Sequence, residues 1–345
     1  MHYAVYIHIP FCQTKCLYCA FYQQASRQQA EDAYVEALLK EIAHDAKLEQ
    51  IRTATIDSVF FGGGTPTSLS PANAGRLLAA VREQFHLAPD AEVTMEGRVH
   101  DLVPEKIEAW LAGGVNRISL GVQSFDTALR RRVGRIDARE EVLRRLALLR
   151  REDVTIIADL IYGLPGQDLA SWLADIRTLA EADVDGMDLY QLNIFPGSDL
   201  EKALRTGRVP ACADLAGQAD LYLAARDQLL AEGTERLSFF HWRRRRLSVW
   251  LRRRRQFRRP KLYAAEGTFC LSADGIPRRK AHHDDGASAG RARAAPLRQP
   301  GQRPGEGLRR FPPPDDARFA ARGARICAMR PFTCRMSGRR SKDGC

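Results

Sequence analysis

Three thiols crowd into the stretch Tyr6-Ile-His-Ile-Pro-Phe-Cys12-Gln-Thr-Lys-Cys16-Leu-Tyr-Cys19, directly after a short apolar run. The spacing Cys-x3-Cys-x2-Cys suits one metal centre better than a disulfide framework, because thiolates in so short a loop wrap one corner of an iron-sulfur cube. Three thiolates leave one of the four irons of a 4Fe-4S cluster without a ligand from the loop. An iron open to a distant cysteine or to a substrate turns an electron carrier into a catalyst. Structural zinc is the competing reading, but zinc sites are usually closed by four residues in two pairs, and no second pair lies nearby. His8 is the candidate fourth zinc ligand, although its alternation with Ile7 and Ile9 reads as a packed strand residue. Unliganded structural thiols are the remaining alternative.

Such a loop needs a rigid frame. Residues 3–9 are strand-like, and the cysteine loop follows at their C-terminal end. Ala33, Tyr34, Ala37, Leu38 and Ile42 then recur at helical spacing. Strand-like segments at 58–61, 92–96, 117–122, 154–161 and 187–194 alternate with amphipathic segments. Ser70-Pro71 reads as an N-cap and first turn, Gly113-Gly114 as a helix stop, and Asp137 with Glu140 as a capping-box-like start. Two further helices are expected over 169–181 and 214–232. Six strand-helix alternations imply a parallel sheet with right-handed crossovers, either doubly wound or rolled into a barrel. The strand ends carry candidate ligands. Gly62-Gly63-Gly64-Thr65-Pro66 lets backbone approach a ligand closely, a plain tight turn being the alternative. Glu96 can pair with an amino group, and Arg135 can hold a carboxylate bidentately.

Tyr6 to Cys19 resembles the cluster-binding loop of radical S-adenosylmethionine (SAM) enzymes, and Tyr-x-His-Ile-Pro-Phe-Cys resembles the branch containing oxygen-independent coproporphyrinogen oxidase and its haem-related relatives. The resemblance implies that the fourth iron is held by the amino and carboxylate groups of SAM. Electron transfer from the cluster would then cleave the sulfonium to a 5'-deoxyadenosyl radical. It also selects an α/β fold of the partial (β/α)6 TIM-type barrel kind, with the active site at the C-terminal strand ends. By the family's spacing, Cys12, Cys16 and Cys19 are the cluster ligands, and the turn with Gly63, Gly64 and Thr65 holds the methionyl amino group. Glu96, Gln123, Arg135 and Asp159 fall on SAM-contacting positions, with Tyr6, Tyr18 and Asn193 as further candidates. Taken singly, each is equally a solvated charge or an ordinary polar contact.

Haem-chaperone-like relatives usually carry an Asn-Pro motif after the strand-three glutamate, whereas here Glu96-Gly97-Arg98 stands. Together with Phe240-His241-Trp242, this is similar to the haem-utilisation group, whose anaerobic haem-degrading members methylate the porphyrin and open the ring. His241 is a candidate haem contact, against the plainer reading of one more polar residue. The implied activity is a radical SAM methyltransferase acting on haem or a related tetrapyrrole, served by a low-potential electron donor of the flavodoxin or ferredoxin type. A haem chaperone that keeps a cluster without turnover, or an oxygen-independent coproporphyrinogen III oxidase-like oxidoreductase, is the alternative.

The formal net charge of +11 conceals two different objects. Residues 1–242 hold 25 basic and 34 acidic side chains, net −9, whereas 243–345 hold 28 and 8, net +20. The first segment is expected to be the barrel. The second, rich in Arg, Pro and Gly, is expected to be a disordered tail, because so few aliphatics cannot offset the entropy of ordering. A non-specific nucleic-acid-binding tail is one reading of it. The preferred one is a reading frame that slipped near Trp242, since Arg, Ala, Pro and Gly are what shifted GC-rich codons encode, and an inactive product is then the third functional possibility. Cys212, Cys270, Cys327, Cys334 and Cys345 show no regular spacing. No basic leader precedes an apolar core, and no run approaches ~18 apolar residues, so a cytoplasmic protein without a membrane partner is expected.

Overall fold

The computed structural model describes residues 1–21, 23–150, 152–244, 267–271 and 327–329. Its strands are β1 (His2–Ile9), β2 (Phe11–Cys12), β3 (Gln24–Ala25), β4 (Thr55–Gly63), β5 (Leu87–Arg98), β6 (Arg117–Gln123), β7 (Thr155–Tyr162), β8 (Gly186–Gln191), β9 (Glu235–Arg236), β10 (His241–Arg243), β11 (Gly267–Leu271) and β12 (Cys327–Met329). The helices are α1 (Gln28–Asp45), α2 (Glu49–Arg52), α3 (Pro71–Gln84), α4 (Pro104–Ala112), α5 (Thr127–Arg132), α6 (Arg139–Leu149), α7 (Leu169–Ala182), α8 (Asp199–Arg205) and α9 (Leu215–Ala231).

The main sheet runs β12-β11-β1-β4-β5-β6-β7-β8-β10-β9, and β1, β4, β5, β6, β7 and β8 are all parallel. Those six lie in the order of the chain. Because every right-handed crossover steps the same way, the connecting helices collect on one face, whereas a doubly wound sheet would need the order to reverse. Helix contacts agree: α1 packs on α3, α3 on α4, α6 on α7 and α7 on α9. The sheet is therefore the singly wound, barrel type, and it stays open.

Residue alternation explains the two faces. Val5, Ile7 and Ile9 of β1, Val93 and Met95 of β5, Ile118, Leu120 and Val122 of β6, Ile156, Ala158 and Leu160 of β7, and Met187 and Leu189 of β8 share one buried cluster with the helices. Their period-2 neighbours, including Tyr6, His8, Glu96, Arg98, Ser119, Gln123, Asp159 and Asp188, face the other way. A closed barrel fills its interior with bulky apolar layers. Here the inner face is polar, which forgoes burial energy and leaves room for a ligand.

Local signals fared unevenly. Ser70 caps α3 by accepting from Asn73 N at 3.2 Å, and Asp214 caps α9. Asp137 does not cap α6. Ala138 takes the cap position, Thr127 Oγ1 accepts from Arg139 N at 3.0 Å, and the Asp137 carboxylate is engaged by His100 Nδ1 at 3.0 Å and by Arg130. The sixth parallel strand stops at Gln191, three residues short of the expected end, and the short helices α5 and α8 were not anticipated.

The boundary at 242 falls inside β10, where Arg243 pairs with Gly186 of β8 and ion-pairs with Glu235. Within the segment expected to be a tail, two short strands are described. β11 lies parallel to β1, from Tyr3↔Gly267 to Ile7↔Leu271, and β12 pairs antiparallel with β11. The rest of that expectation, Cys334 and Cys345 included, lies outside the described residues. Among the described residues no helix is long and apolar enough to cross a membrane.

Candidate active site

The cysteine loop leaves β1 at its C-terminal end and is held at several points. Ser26 N donates to Cys12 O at 3.1 Å, Leu17 N to Val133 O at 3.1 Å, and Lys15 Nζ ion-pairs with Asp199 at 2.7 Å. From inside the sheet, Arg98 Nη1 donates to Thr14 Oγ1 at 2.6 Å and to Thr14 O at 3.2 Å. All three thiols are free; Cys16 is buried, and Cys12 and Cys19 are half-buried. Cys12 Sγ lies 3.0 Å from Thr65 Oγ1. Burial pushes the Cys12 thiol up, Thr65 opposes this, and Cys19 and Cys16 raise it further, so the three sulfurs share one neighbourhood.

The glycine turn lies against this loop. Gly64 N donates to Ile9 O at 2.7 Å, and Thr65 is 2% exposed. Gly63 has φ +113°, and a Cβ there would stand 2.5 Å from the His8 ring, so glycine is required both by backbone and by space. Gly63 N donates to Glu96 Oε2 at 3.2 Å. Tyr6 and Glu96 both lie against Gly62, where an added Cβ would come within 2.9 Å of each. Burial raises the Glu96 carboxyl to about 7, against the Gly63 hydrogen bond and Arg117, with Asp188 adding to the rise.

Gln123 and Arg135 meet above Gly121, where an added Cβ would fall 2.6 Å from Gln123 Nε2 and 3.1 Å from Arg135 Nη2. Arg135 Nη2 donates to Tyr18 Oη at 3.1 Å, linking the pair to the cysteine loop. Burial pushes the Tyr18 hydroxyl up while Arg135 pulls it down. Gln123 sits at a bulge in the β6–β7 ladder with φ +72°, a conformation rarely taken by a non-glycine residue. Its Oε1 and the Nε of Arg135 are buried without a hydrogen-bond partner among the described residues. Backbone strain beside two unmet polar atoms is the mark of a ligand site.

Further along the inner face, Asp159 accepts from Ser119 Oγ at 3.1 Å and lies in register with Asp188. Burial, then Asp188 and Glu96, push its carboxyl well above the usual range. Asp188 in turn takes His241 Nδ1 at 2.5 Å. Asp188, Arg117 and Arg98 were not singled out from the sequence, although the alternation Arg117-Ile-Ser-Leu-Gly-Val-Gln123 carries the signal. Asn193 stands apart. It is exposed beyond β8, and its amide donates to Gln191 O at 3.4 Å.

The residues fit both implied groups. The loop offers three thiols in one neighbourhood, and the unmet Gln123 and Arg135 atoms with the buried Glu96 carboxyl offer an acceptor, a donor and a carboxylate to a zwitterionic amino acid. Among the described residues no three His, Cys, Asp or Glu side chains converge to hold a single metal ion. A cube does not require such convergence, since each thiolate would bind a different iron and the sulfurs need not meet at a point.

Residues 6–179 match the model of the radical SAM superfamily, and the chain belongs to that superfamily, whose chemistry uses a 4Fe-4S cluster and SAM. Over 243 residues it is 40% identical to anaerobilin synthase of Escherichia coli O157:H7, covering 70% of this chain and 54% of that protein. Over 232 residues it is 35% identical to the heme chaperone HemW of Escherichia coli K12, covering 67% and 60%. The coproporphyrinogen III oxidase HemN from Escherichia coli, a radical SAM enzyme, aligns with a TM-score of 0.67 and 27% identity, covering 79% of this chain and 63% of that one. The chain is a radical SAM protein related to haem-processing proteins, and it spans about half the length of the curated relatives it matches.

Proposed function

We propose that this chain forms the radical SAM barrel of an enzyme that methylates and opens haem or a related tetrapyrrole during anaerobic haem utilisation. The observation that carries the reading is a polar inner face, bounded by the cysteine loop, in a chain 40% identical to anaerobilin synthase over 243 residues. Bound together, cluster and SAM supply a 5'-deoxyadenosyl radical and an activated methyl group. In this reading Cys12, Cys16 and Cys19 hold the cluster. The turn Gly63-Gly64-Thr65 and Glu96 receive the SAM amino group, Arg135 with Gln123 its carboxylate, and Asp159 a further polar contact; Tyr6 and Tyr18 complete the set, and Asn193, exposed beyond β8, is left out of it. Tyr18 orients Arg135, and Arg98 steadies the loop through Thr14. Residues 1–242 make the catalytic unit, and a flavodoxin- or ferredoxin-type donor delivers the electron.

The 35% identity to a heme chaperone favours a second reading, haem delivery without turnover. Anaerobic reconstitution with iron and sulfide, followed by SAM, a reductant and haem, separates the two. Formation of 5'-deoxyadenosine with loss of the haem spectrum supports the enzyme. Haem transfer to an acceptor protein without 5'-deoxyadenosine would replace it with the chaperone.

A further inference from the structure

One pair on the inner face has no part in the cofactor roles above. Asp188 of β8 and His241 of β10 stand opposite each other in the antiparallel ladder, with Nδ1 2.5 Å from Oδ1. They are 6% and 5% exposed. Trp242, the next residue, is wholly buried in the helix-side core, so alternation along β10 sends His241 to the inner face, where Asp188 is in register with Asp159. A carboxylate on Nδ1 fixes the imidazole tautomer that presents a lone pair at Nε2, and it strengthens that lone pair; metal-ligating histidines are held in this way. Among the described residues Nε2 has no hydrogen-bond partner.

What this histidine could ligate is narrowed by its surroundings. No three His, Cys, Asp or Glu side chains among the described residues converge on a metal ion, so the site offers a bare ion too few ligands. A metal that brings its own equatorial ligands needs only one axial group from the protein, and iron in a tetrapyrrole is such a metal. The border of the site suits a flat apolar ring. Tyr190 stacks on Phe240 with centroids 5.3 Å apart, and Ile194 and Phe195 stay exposed just beyond β8.

We infer that His241 Nε2 is an axial ligand to the iron of the tetrapyrrole and that Asp188 orients it. The inference rests on the tetrapyrrole reading proposed above. It is tested by titrating hemin and metal-free protoporphyrin into the full chain, with and without the reconstituted cluster, for the native protein and the His241→Ala, His241→Met and Asp188→Asn variants. Native protein should give the Soret band of imidazole-ligated iron. In His241→Ala hemin binding should weaken by about tenfold or more, metal-free porphyrin should bind as before, and added imidazole should restore the native spectrum. His241→Met should bind hemin with a thioether-ligated spectrum, a change that a merely misfolded variant does not produce. Asp188→Asn should keep hemin but raise its reduction potential, because the imidazole becomes a poorer donor. Unchanged hemin affinity and spectrum in His241→Ala would overturn the ligation while leaving the substrate reading intact. Failure of native protein to bind either tetrapyrrole would overturn both.

Discussion

Replacing Glu96 by Gln should stabilise the cofactor-free protein above neutral pH and change little below pH 5. Burial holds the Glu96 carboxyl near 7, against an ordinary value of 4.5. The folded state therefore binds more protons than the unfolded state between those values, and stability must fall as pH rises through the window. A shift of this size corresponds to about 3 kcal/mol if the group were fully shielded. Glu96 is half-buried, so solvent screening brings the expected difference to ~1–2 kcal/mol. Losing the charge also relieves Asp159, which Glu96 repels, and this acts in the same direction. Urea denaturation of both proteins at pH 5 and pH 8 reads the effect directly. A difference that does not grow between the two pH values would refute the account of Glu96 as a strained carboxylate awaiting a cation. The same variant should lose SAM affinity, most strongly above pH 7, where native Glu96 is charged.

Replacing Cys12, Cys16 or Cys19 by Ala should abolish the cluster's visible absorption and SAM cleavage together, whereas Cys212→Ala should leave both; iron content and absorbance after reconstitution decide it. Arg135→Ala should preserve the cluster but weaken SAM binding by about 1.5–3 kcal/mol, roughly ten- to a hundredfold, measured by calorimetry, because it removes a charged donor and not an iron ligand. Gly97→Ala should destabilise by about 1–3 kcal/mol, since the added methyl would press on the buried Thr67 side chain, whose hydroxyl bonds Asp101 at 2.9 Å; the thermal midpoint reports it. Ending the chain after Arg244 uncovers the β1 edge that β11 pairs with, so the shorter protein should self-associate in light scattering at concentrations where the full chain does not.

The frame was legible because its signals are local. Strand apolarity, helical spacing and the Ser70 cap depend on near neighbours, and the three cysteines announce themselves by spacing alone. What escaped depends on register. Arg117, Asp188 and Arg98 read as isolated charges until neighbouring strands set them beside Glu96, Asp159 and the cysteine loop. Asp137 looked like a helix cap because the motif ignores His100, thirty-seven residues away, which competes for the same carboxylate. The left-handed backbone of Gln123 was invisible, since glutamine has no local preference for it and the β6–β7 bulge imposes it. Composition measures whether a segment can fold alone, and the short strand β11 needs only a free edge of β1 to pair with, so its place beside β1 was not legible in the sequence.

The order of groups around the inner face separates two tasks. The thiols, the glycine turn and Glu96 cluster at β1, β4 and β5, and Gln123, Arg135 and Asp159 continue the arc across β6 and β7. Nothing in that arc is apolar enough to hold a large flat molecule. The remaining stretch, β8 with β10, carries Asp188, Tyr190 and His241, and it adjoins the exposed aromatic and aliphatic residues that follow β8 and precede β10. Because β10 runs antiparallel, it approaches the site from the same end at which β8 leaves it. An antiparallel return strand is thus what lets a parallel barrel place a histidine opposite its sixth strand, while Trp242 beside it packs into the helix-side core. In the proposed reading the cofactor arc and the substrate side meet at Asp159 and Asp188, which are direct register partners, so a charge change on either is felt by the other.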